Sequence, residues 1–403
     1  MTRDDGNPAS AVRRTAIALA TPYLNGRTVI LTGPAAASAT MRRFLSDGGA
    51  RVVAVDLVDP PTETRARFTR LDRELDAPGP ETVTRINAAD PEGTALVYAG
   101  SFTSVPRLLG RRVLGSRAPN VLAMERKDAQ QDLLPALGDV VPLPATLPST
   151  TSPTVVQGVP THGVAMATSH TYLVPPQAHG SSHTRQLLAQ LAHDCTHLRL
   201  APLDHGTPCT FYGFITTHGV VDFGPVRALL FWDPHSWRIH APGIQRPLDL
   251  PPEEHRLARE RVSAVARRLH DRTGYVGAFG TDGVITSGDY VIHEINPRVC
   301  AGFALLDRLC RPSAPLSAVD LVLRESPAEA SKALFPDLRD LSATIRADPT
   351  PSVTLWDSPS PQPPRDAAGT GPDPAGKQTT DGAGRPGWIP LDQIDDVMRG
   401  GTR

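Results

Sequence analysis

Lysine is scarce in this chain of 403 residues. Of its 41 lysine and arginine residues, only Lys127, Lys332 and Lys377 are lysines. Because the 42 acidic residues bring the formal net charge to −1, the chain lacks the basic surplus of proteins that bind nucleic acid through its phosphates. We therefore expect no nucleic-acid partner, and the few lysines become candidates for specific roles.

Cysteine and long apolar runs are also scarce. The four cysteines (Cys195, Cys209, Cys300 and Cys310) form no C-x-x-C pair and are too few for a disulfide framework. No stretch approaches 18 consecutive apolar residues, and the apolar run at 15–20 is shorter than a signal-peptide core. These absences predict a reduced, cytoplasmic protein without a transmembrane helix or a membrane partner.

The N-terminal third has the pattern of a parallel α/β unit. After a loose arm with a short helix at 1–26, strands are expected at Thr28–Thr32 and Arg51–Asp56, with a helix at Ala35–Ser46 between them. Another strand is expected at Ala95–Tyr98. The loop after the first strand lacks the glycine patterns of nucleotide-binding loops, so it is interpreted as an ordinary turn. This predicts an α/β domain over residues 27–128.

The stretch 274–298, GYVGAFGTDGVITSGDYVIHEINPR, predicts a hairpin. Strands are expected at Ala278–Ile285 and Tyr290–Ile295, with 287–289 as the turn. If Thr286 pairs with Tyr290, Asp282 lies opposite Glu294, and Asn296 shares the face of Glu294 because strand side chains alternate. Acids on a surface hairpin are often only solvated. Here they lie within apolar strands, where an unpaired carboxylate is costly, and their oxygens are ligands that Mg²⁺ prefers.

This stretch resembles the metal-binding hairpin of the ATP-grasp superfamily of carboxylate–amine ligases. The pattern G-x-x-G-x-x-x-x-D-G followed by Y-V-I-x-E-I-N-P-R carries the resemblance. It implies that Asp282, Glu294 and Asn296 hold magnesium ions that bridge the ATP phosphates. It also implies that Arg298 is a catalytic residue that contacts the transferred phosphate or the substrate carboxylate.

The resemblance implies a nucleotide site as well. Lys127 matches a lysine that reaches the ATP phosphates, although an exposed lysine at a helix start is the alternative. Gly180, Ser181, Ser182 and His183 follow a predicted strand and precede a predicted helix at 185–197, so their loop is a candidate phosphate cradle. A plain surface loop is the alternative. The family's lysine at the end of that strand is missing, because the sequence reads Leu-Val-Pro-Pro at 173–176.

The second half matches the order of elements in an ATP-grasp domain. Strands are expected at 209–215, 219–223 and 226–232, then an amphipathic helix at 253–270 before the hairpin. Helices are expected again at 301–309 and 317–324. We assign an α+β ATP-grasp domain, whose two subdomains grip the nucleotide, to residues 129–346. The Pro/Gly-rich tail at 347–403 is predicted to be disordered, with a short amphipathic end at 388–397 that docks on its own domain or on a partner.

The resemblance implies a function. It is closest to peptide and amide ligases with a preceding α/β domain, such as pheganomycin-type peptide ligases of natural-product biosynthesis. Such a ligase uses ATP and Mg²⁺ to turn a small-molecule carboxylate into an acyl phosphate, which an amine then displaces. Two alternatives stay open. One is a ligase that loads an amino acid onto a carrier protein, for which arginines around 298, 308 and 311 would supply a docking patch. The other is a non-catalytic ATP-grasp-like binding protein, which the missing lysine favours.

Overall fold

A computed structural model describes residues 7–33, 38–57, 71, 73–101, 103–134, 137–161, 170–310, 316–355 and 388–394. Helices and strands alternate along these ranges and build a mixed fold with three main sheets. Within the same ranges, no helix combines the length and the apolar character that crossing a membrane requires. The domain boundaries given above stay predictions.

The first sheet is the predicted parallel unit. Its strands are β1 (Thr28–Thr32), β2 (Arg51–Val55) and β3 (Leu96–Tyr98), in the order β2-β1-β3. Both pairs of neighbours are parallel, as the strand–helix–strand pattern predicted. Helices α2 (Ala39–Asp47) and α3 (Pro80–Ala89) lie in the connections. A short hairpin of β4 (Arg107–Leu108) and β5 (Arg111–Arg112) follows.

The N-terminal segment is more ordered than predicted. Residues Pro8–Leu24 form a 17-residue helix, α1, capped by the side chain of Asn7. Its buried face includes Val12, Ala16, Ala20 and Leu24, which recur every four residues and join the core shared with later helices. The helix expected in this segment is therefore present but longer than expected, and the expectation of a loose arm is wrong for Pro8–Leu24 because its apolar face packs into the core.

The second sheet is antiparallel, with the order β6-β9-β7-β8. Its strands are β6 (Asp139–Pro142), β7 (Thr154–Pro160), β8 (Thr171–Val174) and β9 (Cys195–Pro202). Helix α4 (Pro119–Ala123) precedes it, and α5 (Ser182–Leu191) lies between β8 and β9. The helix predicted over 185–197 ends early because β9 pairs on both sides, with β6 and with β7, and this pairing overrides local propensity.

The third sheet carries the predicted hairpin at one edge. It has seven strands, six of them in the order β14-β13-β10-β11-β12-β15. They are β10 (Thr207–Thr216), β11 (Gly219–Trp232), β12 (Ile239–Arg246), β13 (Gly277–Thr286), β14 (Asp289–Asn296) and β15 (Ser352–Leu355), while β16 (Ile389–Pro390) pairs beside β12 on β11. The two strands predicted at 219–223 and 226–232 are one long strand. Gly224, at φ +85°, bends it without ending it.

Helices cover both faces of this sheet. On one face lies α6 (Pro252–Thr273), which buries Val262, Ala266 and Leu269 against Phe211 and Phe279 and ends at Gly274 in the left-handed conformation. On the other face lie α7 (Phe303–Leu309), α8 (Leu316–Glu325) and α9 (Pro327–Ala347). This arrangement leaves the acidic end of the hairpin facing residues 125–127 and β9.

The C-terminal tail is not uniformly loose. Val353 and Leu355 belong to β15, which pairs with β12. At 388–394, Trp388 stacks on His240 with ring centroids 4.0 Å apart, and Ile394 is buried. The prediction of disorder is therefore wrong for these two segments. Of the end predicted at 388–397 to dock on its own domain or on a partner, residues 388–394 dock on the chain itself. Residues 356–387 and 395–403 lie outside the described part of the chain.

Candidate active site

The hairpin pairs Asp282 with Glu294 as predicted, but its register near the turn differs from the prediction. Near the turn, Ile285 pairs with Tyr290 and Thr286 with Asp289, so the assumed pairing of Thr286 with Tyr290 is wrong by one residue. A bulge at His293 then restores the offset, and Asp282 does pair with Glu294. The pairing near the turn differs from the prediction by one residue, and the bulge adds one residue to the second strand. The two shifts cancel, so Asp282 and Glu294 are paired as predicted.

The bulge also decides which way Glu294 points. Tyr290, Ile292 and Ile295 all belong to the core under α6. In an unbroken strand Glu294 would lie on the same face as Tyr290 and Ile292, because side chains alternate. The extra residue at 293 moves Glu294 to the opposite face, together with Asn296. The main-chain carbonyl of His293 accepts a hydrogen bond from Arg199 Nη1 at 2.8 Å, which stabilises the bulge.

Asp282 lies at the centre of the acidic group. Its Oδ1 accepts a hydrogen bond from the Thr210 hydroxyl at 2.7 Å, and its Oδ2 accepts one from Asn296 Nδ2 at 3.1 Å. Burial, followed by the nearby charge of Glu294, raises the pKa of Asp282 above its ordinary value, although Thr210 and Lys127 oppose this. A carboxylate in this setting favours a bound cation, because a positive charge would offset the repulsion by Glu294 and stabilise the buried negative charge.

Glu294 faces two buried cations. Its carboxylate forms an ion pair with Lys127, whose side chain is 3% exposed. The charge of Arg199 on β9 also acts on both Glu294 and Lys127. Burial lowers the pKa of Lys127, with Glu294 opposing it, and burial lowers the pKa of Arg199 to about 10. The hairpin and the four-stranded sheet therefore meet in a cluster of opposite charges.

Two side chains hold the guanidinium group of Arg298. Its Nε donates to Glu125 Oε2 at 3.0 Å, and its Nη2 donates to Asn296 Oδ1 at 3.0 Å. Glu125 is completely buried and also binds Arg117 through its other oxygen. Burial raises the pKa of Glu125, but Arg298 and Arg117 outweigh it and hold the pKa below its ordinary value. Arg298 is therefore fixed beside the acidic group, as a residue that orients an anion has to be.

The segment that carries Glu125 and Lys127 is fastened to the hairpin. The side-chain amide of Gln130 donates to the carbonyls of Met124 and Ile295 at 2.8 and 3.0 Å. Its oxygen accepts the Ile295 N–H at 3.0 Å. The side-chain amide of Gln130 thus makes the two hydrogen bonds that a neighbouring strand would make with Ile295. These bonds hold the segment of Glu125 and Lys127 next to Glu294.

The residues of the predicted phosphate loop lie at the start of α5. Ser181 caps the helix by accepting the Thr184 N–H at 3.1 Å, Ser182 is its first residue, and the Gly180 carbonyl accepts from Arg185 at 2.8 Å. The His183 ring stacks on Trp237 at 3.9 Å. Among the described contacts, none joins this loop to the hairpin. A role for these four residues in nucleotide binding stays a prediction.

The predicted metal ligands fit Mg²⁺ by the chemistry of their donors. Asp282, Glu294 and Asn296 supply carboxylate and amide oxygens, which hard cations prefer. The amide of Asn296 points its nitrogen at Asp282 and its oxygen at Arg298, so it has to turn before its oxygen can join the carboxylates. No group of three or more His, Cys, Asp or Glu side chains placed to hold a metal occurs in the described part of the chain. The assignment stays a prediction.

Sequence reasoning missed several residues of this site. Glu125 and Thr210 bind Arg298 and Asp282, respectively. Arg199 acts on Glu294 and Lys127 through its charge, and Gln130 binds the backbone of Ile295, next to Glu294. Arg199 had a usable signal, because it is a lone charge within the apolar strand residues Leu198 and Leu200. Glu125 stands in the charged run E-R-K-D, which gives no local sign of burial, and only the fold shows that its side chain is buried.

Comparisons with known proteins rest on structure. No protein-family model matches the sequence, and a search of curated proteins finds no match. Among solved structures, an L-amino acid ligase from Bacillus licheniformis aligns with a TM-score of 0.51 and 11% identity, over 78% of this chain and 77% of that chain. This likeness is one of fold. The prediction from the hairpin motif is therefore confirmed at the level of the fold, a mixed helix and sheet fold that matches that of this ligase.

Two other solved structures have lower scores. A carboxyaminoimidazole ribonucleotide synthase from Aspergillus clavatus, complexed with ATP, aligns with a TM-score of 0.48 and 13% identity, over 76% of this chain and 80% of that chain. A D-alanine–D-alanine ligase from Bacillus anthracis aligns with a TM-score of 0.41 and 14% identity, over 79% and 98%.

Proposed function

We propose that this chain is an ATP-dependent carbon–nitrogen ligase that joins a small-molecule carboxylate to an amine through an acyl phosphate. One observation carries the proposal. Asp282 and Glu294 are paired across a hairpin and are surrounded by three buried cations: Lys127, Arg199 and Arg298. Adjacent acidic and basic groups of this kind match what phosphoryl transfer needs, namely metal ligands together with cations for phosphate oxygens. The shared fold with an L-amino acid ligase supports the same reaction class.

The two chemical steps balance as follows. A carboxylate oxygen of the substrate attacks the γ-phosphorus of ATP, and the bond from that phosphorus to the β-γ bridging oxygen breaks, which gives an acyl phosphate and ADP. The amine then attacks the acyl carbon, the bond from carbon to the phosphate oxygen breaks, and the nitrogen loses a proton. The products are an amide and inorganic phosphate.

Each residue of the site has a distinct part in this proposal. Asp282, Glu294 and Asn296 would hold Mg²⁺, which neutralises phosphate charge when bound. Lys127 and Arg199 would bind phosphate oxygens. Arg298, fixed by Glu125, would orient the carboxylate or the transferred phosphoryl group, as a guanidinium suits both.

Arg199 bears on the alternative of a non-catalytic binding protein. That alternative rested on the lysine missing at 173–176. Arg199 lies in the same sheet and brings a buried cation next to Glu294 and Lys127. We propose that it supplies the charge that the missing lysine would have supplied, which favours the enzyme.

The nature of the acceptor is also part of the proposal. We propose a small-molecule amine, as in natural-product biosynthesis, with a carrier protein as the alternative acceptor. Of the arginines that would build a docking patch, Arg308 donates a hydrogen bond to Thr354 on β15 and Arg298 is buried, while residue 311 lies outside the described ranges. The contacts of Arg308 and Arg298 favour the small molecule.

Trapping with hydroxylamine tests the proposed intermediate. The full chain is incubated with ATP, Mg²⁺ and hydroxylamine, and with each standard amino acid as the carboxylate. An acyl phosphate is expected to yield a hydroxamate together with one equivalent of ADP. Release of AMP instead of ADP would overturn the acyl-phosphate mechanism. Asp289→Asn, a change at the exposed turn of the same hairpin, serves as a control and should leave the yield unchanged.

A further inference from the structure

A concave site lies apart from the candidate active site at the hairpin. It is a pocket of about 210 Å³ between the middle of β11, the end of β12, the first turn of α6 and the last turn of α9. Its polar lining comes from Arg246, His255 and Arg346, and Pro247 and Asp249 form an exposed rim. Strand β10 separates β11 from the hairpin strand β13, and no residue of the candidate active site lines the pocket.

Arg246 has a donor that lacks an acceptor. Its side chain is buried, and its Nη2 donates to the carbonyls of Ile345 and Asp348 at 2.6 and 2.8 Å, at the end of α9. Its Nη1 is equally buried but has no hydrogen-bond partner among the described residues. Because a buried donor without an acceptor is costly, this guanidinium is arranged to meet an acceptor from outside the chain.

Two further basic side chains converge on the same space. A methyl group placed on Gly224 would lie 3.1 Å from Arg346 Cγ and 4.0 Å from His255 Nε2. Arg346 donates through Nη1 to the Asp222 carbonyl at 3.1 Å. The glycine therefore keeps open the volume into which Arg346 and His255 extend.

The acids near the pocket leave its floor basic. The buried carboxylate of Asp222 forms an ion pair with Arg259, whose Nε donates to its two oxygens at 3.0 and 3.1 Å. Asp249 lies on the exposed rim, and Asp348 uses its carboxylate to accept the Thr350 N–H at 2.9 Å. An entering anion thus meets the guanidinium groups of Arg246 and Arg346 before any free carboxylate on the floor.

We propose that this pocket binds a small oxyanion, with phosphate and carboxylate groups as the ligand chemistry. Guanidinium groups present paired N–H donors that match the oxygens of either group. The volume is below the roughly 300–1,000 Å³ of sites for drug-sized ligands, which favours a small ion over a nucleotide. The anion accepts from Arg246 Nη1 and from the Arg346 guanidinium, and His255 closes the pocket on the α6 side.

Calorimetric titration of the full chain tests the pocket. Inorganic phosphate is one probe, and acetate and succinate are the others, which separates a phosphate source from a carboxylate source. We expect saturable 1:1 binding of at least one probe, and unchanged binding when ATP and Mg²⁺ are saturating. Displacement of the probe by ATP would overturn the proposal, because it would place the ion in the candidate active site. Absence of saturable binding by every probe would also overturn it.

Variants locate the bound ion. Arg346→Gln is expected to weaken binding at least tenfold. His255→Glu should do the same while keeping the fold, because an acid in the first turn of α6 is favoured by the helix dipole and brings negative charge into the pocket. Arg267→Gln, at an exposed arginine on the same helix, is the matched control and should bind as the wild type does. Binding of unchanged strength in His255→Glu would contradict the assignment.

Discussion

Replacing Glu125 by glutamine tests the arrangement that fixes Arg298. The carboxylate is completely buried and bridges two guanidinium groups that are themselves 1% and 8% exposed. Glutamine keeps the volume but removes the charge, so both buried arginines lose the carboxylate that they share. Breaking a buried ion pair on one side costs about 3–5 kcal/mol. We expect a loss of that size, which is a large fraction of the roughly 5–15 kcal/mol that stabilises a typical domain.

Urea-induced unfolding followed by tryptophan fluorescence measures this loss. Glu81→Gln is the control, because Glu81 and Arg85 form an exposed pair on α3 with 77% and 43% of their side chains accessible. That change should alter the unfolding free energy by no more than about 0.5 kcal/mol. If Glu125→Gln unfolds within about 1 kcal/mol of the wild type, the buried charge cluster is not formed as described, given the cost expected for such pairs.

The pH dependence of the same variant gives an independent check. The pKa of Glu125 is lower in the folded chain than in the unfolded chain. Its stabilising effect is therefore fully present above the unfolded pKa and is lost as the pH falls through the folded pKa. The difference in stability between wild type and Glu125→Gln should narrow in acid. A difference that widens as the pH falls would refute the reasoning.

Three other changes give separate expectations. Lys127→Met should raise the KM for ATP by roughly 10- to 150-fold, since a hydrogen bond to a charged group contributes about 1.5–3 kcal/mol; an unchanged KM would remove Lys127 from the nucleotide site. Arg199→Gln should raise the same KM by a similar factor and leave the KM for the carboxylate unchanged, whereas the reverse pattern would place Arg199 at the acceptor end. Asp90→Asn should lower the unfolding free energy by about 3–5 kcal/mol at pH 7, because the buried Asp90 binds Arg111 at 2.7 Å. Burial raises the pKa of Asp90, but the Ala95 N–H and Arg111 outweigh it and hold the pKa below its ordinary value. The loss of unfolding free energy in Asp90→Asn should therefore shrink as the pH falls. A loss independent of pH would contradict the pairing of Asp90 with Arg111.

The elements with strong local patterns were predictable. The strand Thr28–Thr32 has a continuous apolar centre at 29–31, and the helix over 253–270 has its apolar stripe at helical spacing, so each appears within a few residues of the predicted bounds. The face of Glu294 was also predicted, although through a register that the bulge at His293 corrected. Turn residues alone do not reveal a bulge several residues away.

The remaining features depend on contacts between distant parts of the chain. Residues 192–197 read as a continuation of a helix, but β9 has a partner strand on each side. Glu125 is separated from Arg298 by 173 positions in the sequence, so nothing local distinguishes it from a surface acid. The metal-ligand assignment and Arg298 came from a compact motif, whereas the other two cations, Lys127 and Arg199, come from two distant segments of the chain.

The most direct test of the proposed function is ADP release by wild type and by Glu294→Gln. The assay contains ATP, Mg²⁺ and pairs of amino acids, and it is read with and without chelation of the metal. We predict ADP release by the wild type that stops on chelation. We also predict that Glu294→Gln loses more than 100-fold in activity, because mutating a group that only supports a metal ligand costs roughly 10- to 100-fold. The control Asp289→Asn should keep wild-type turnover. Turnover by Glu294→Gln at the wild-type rate would contradict the assignment of this hairpin as the site of ATP chemistry.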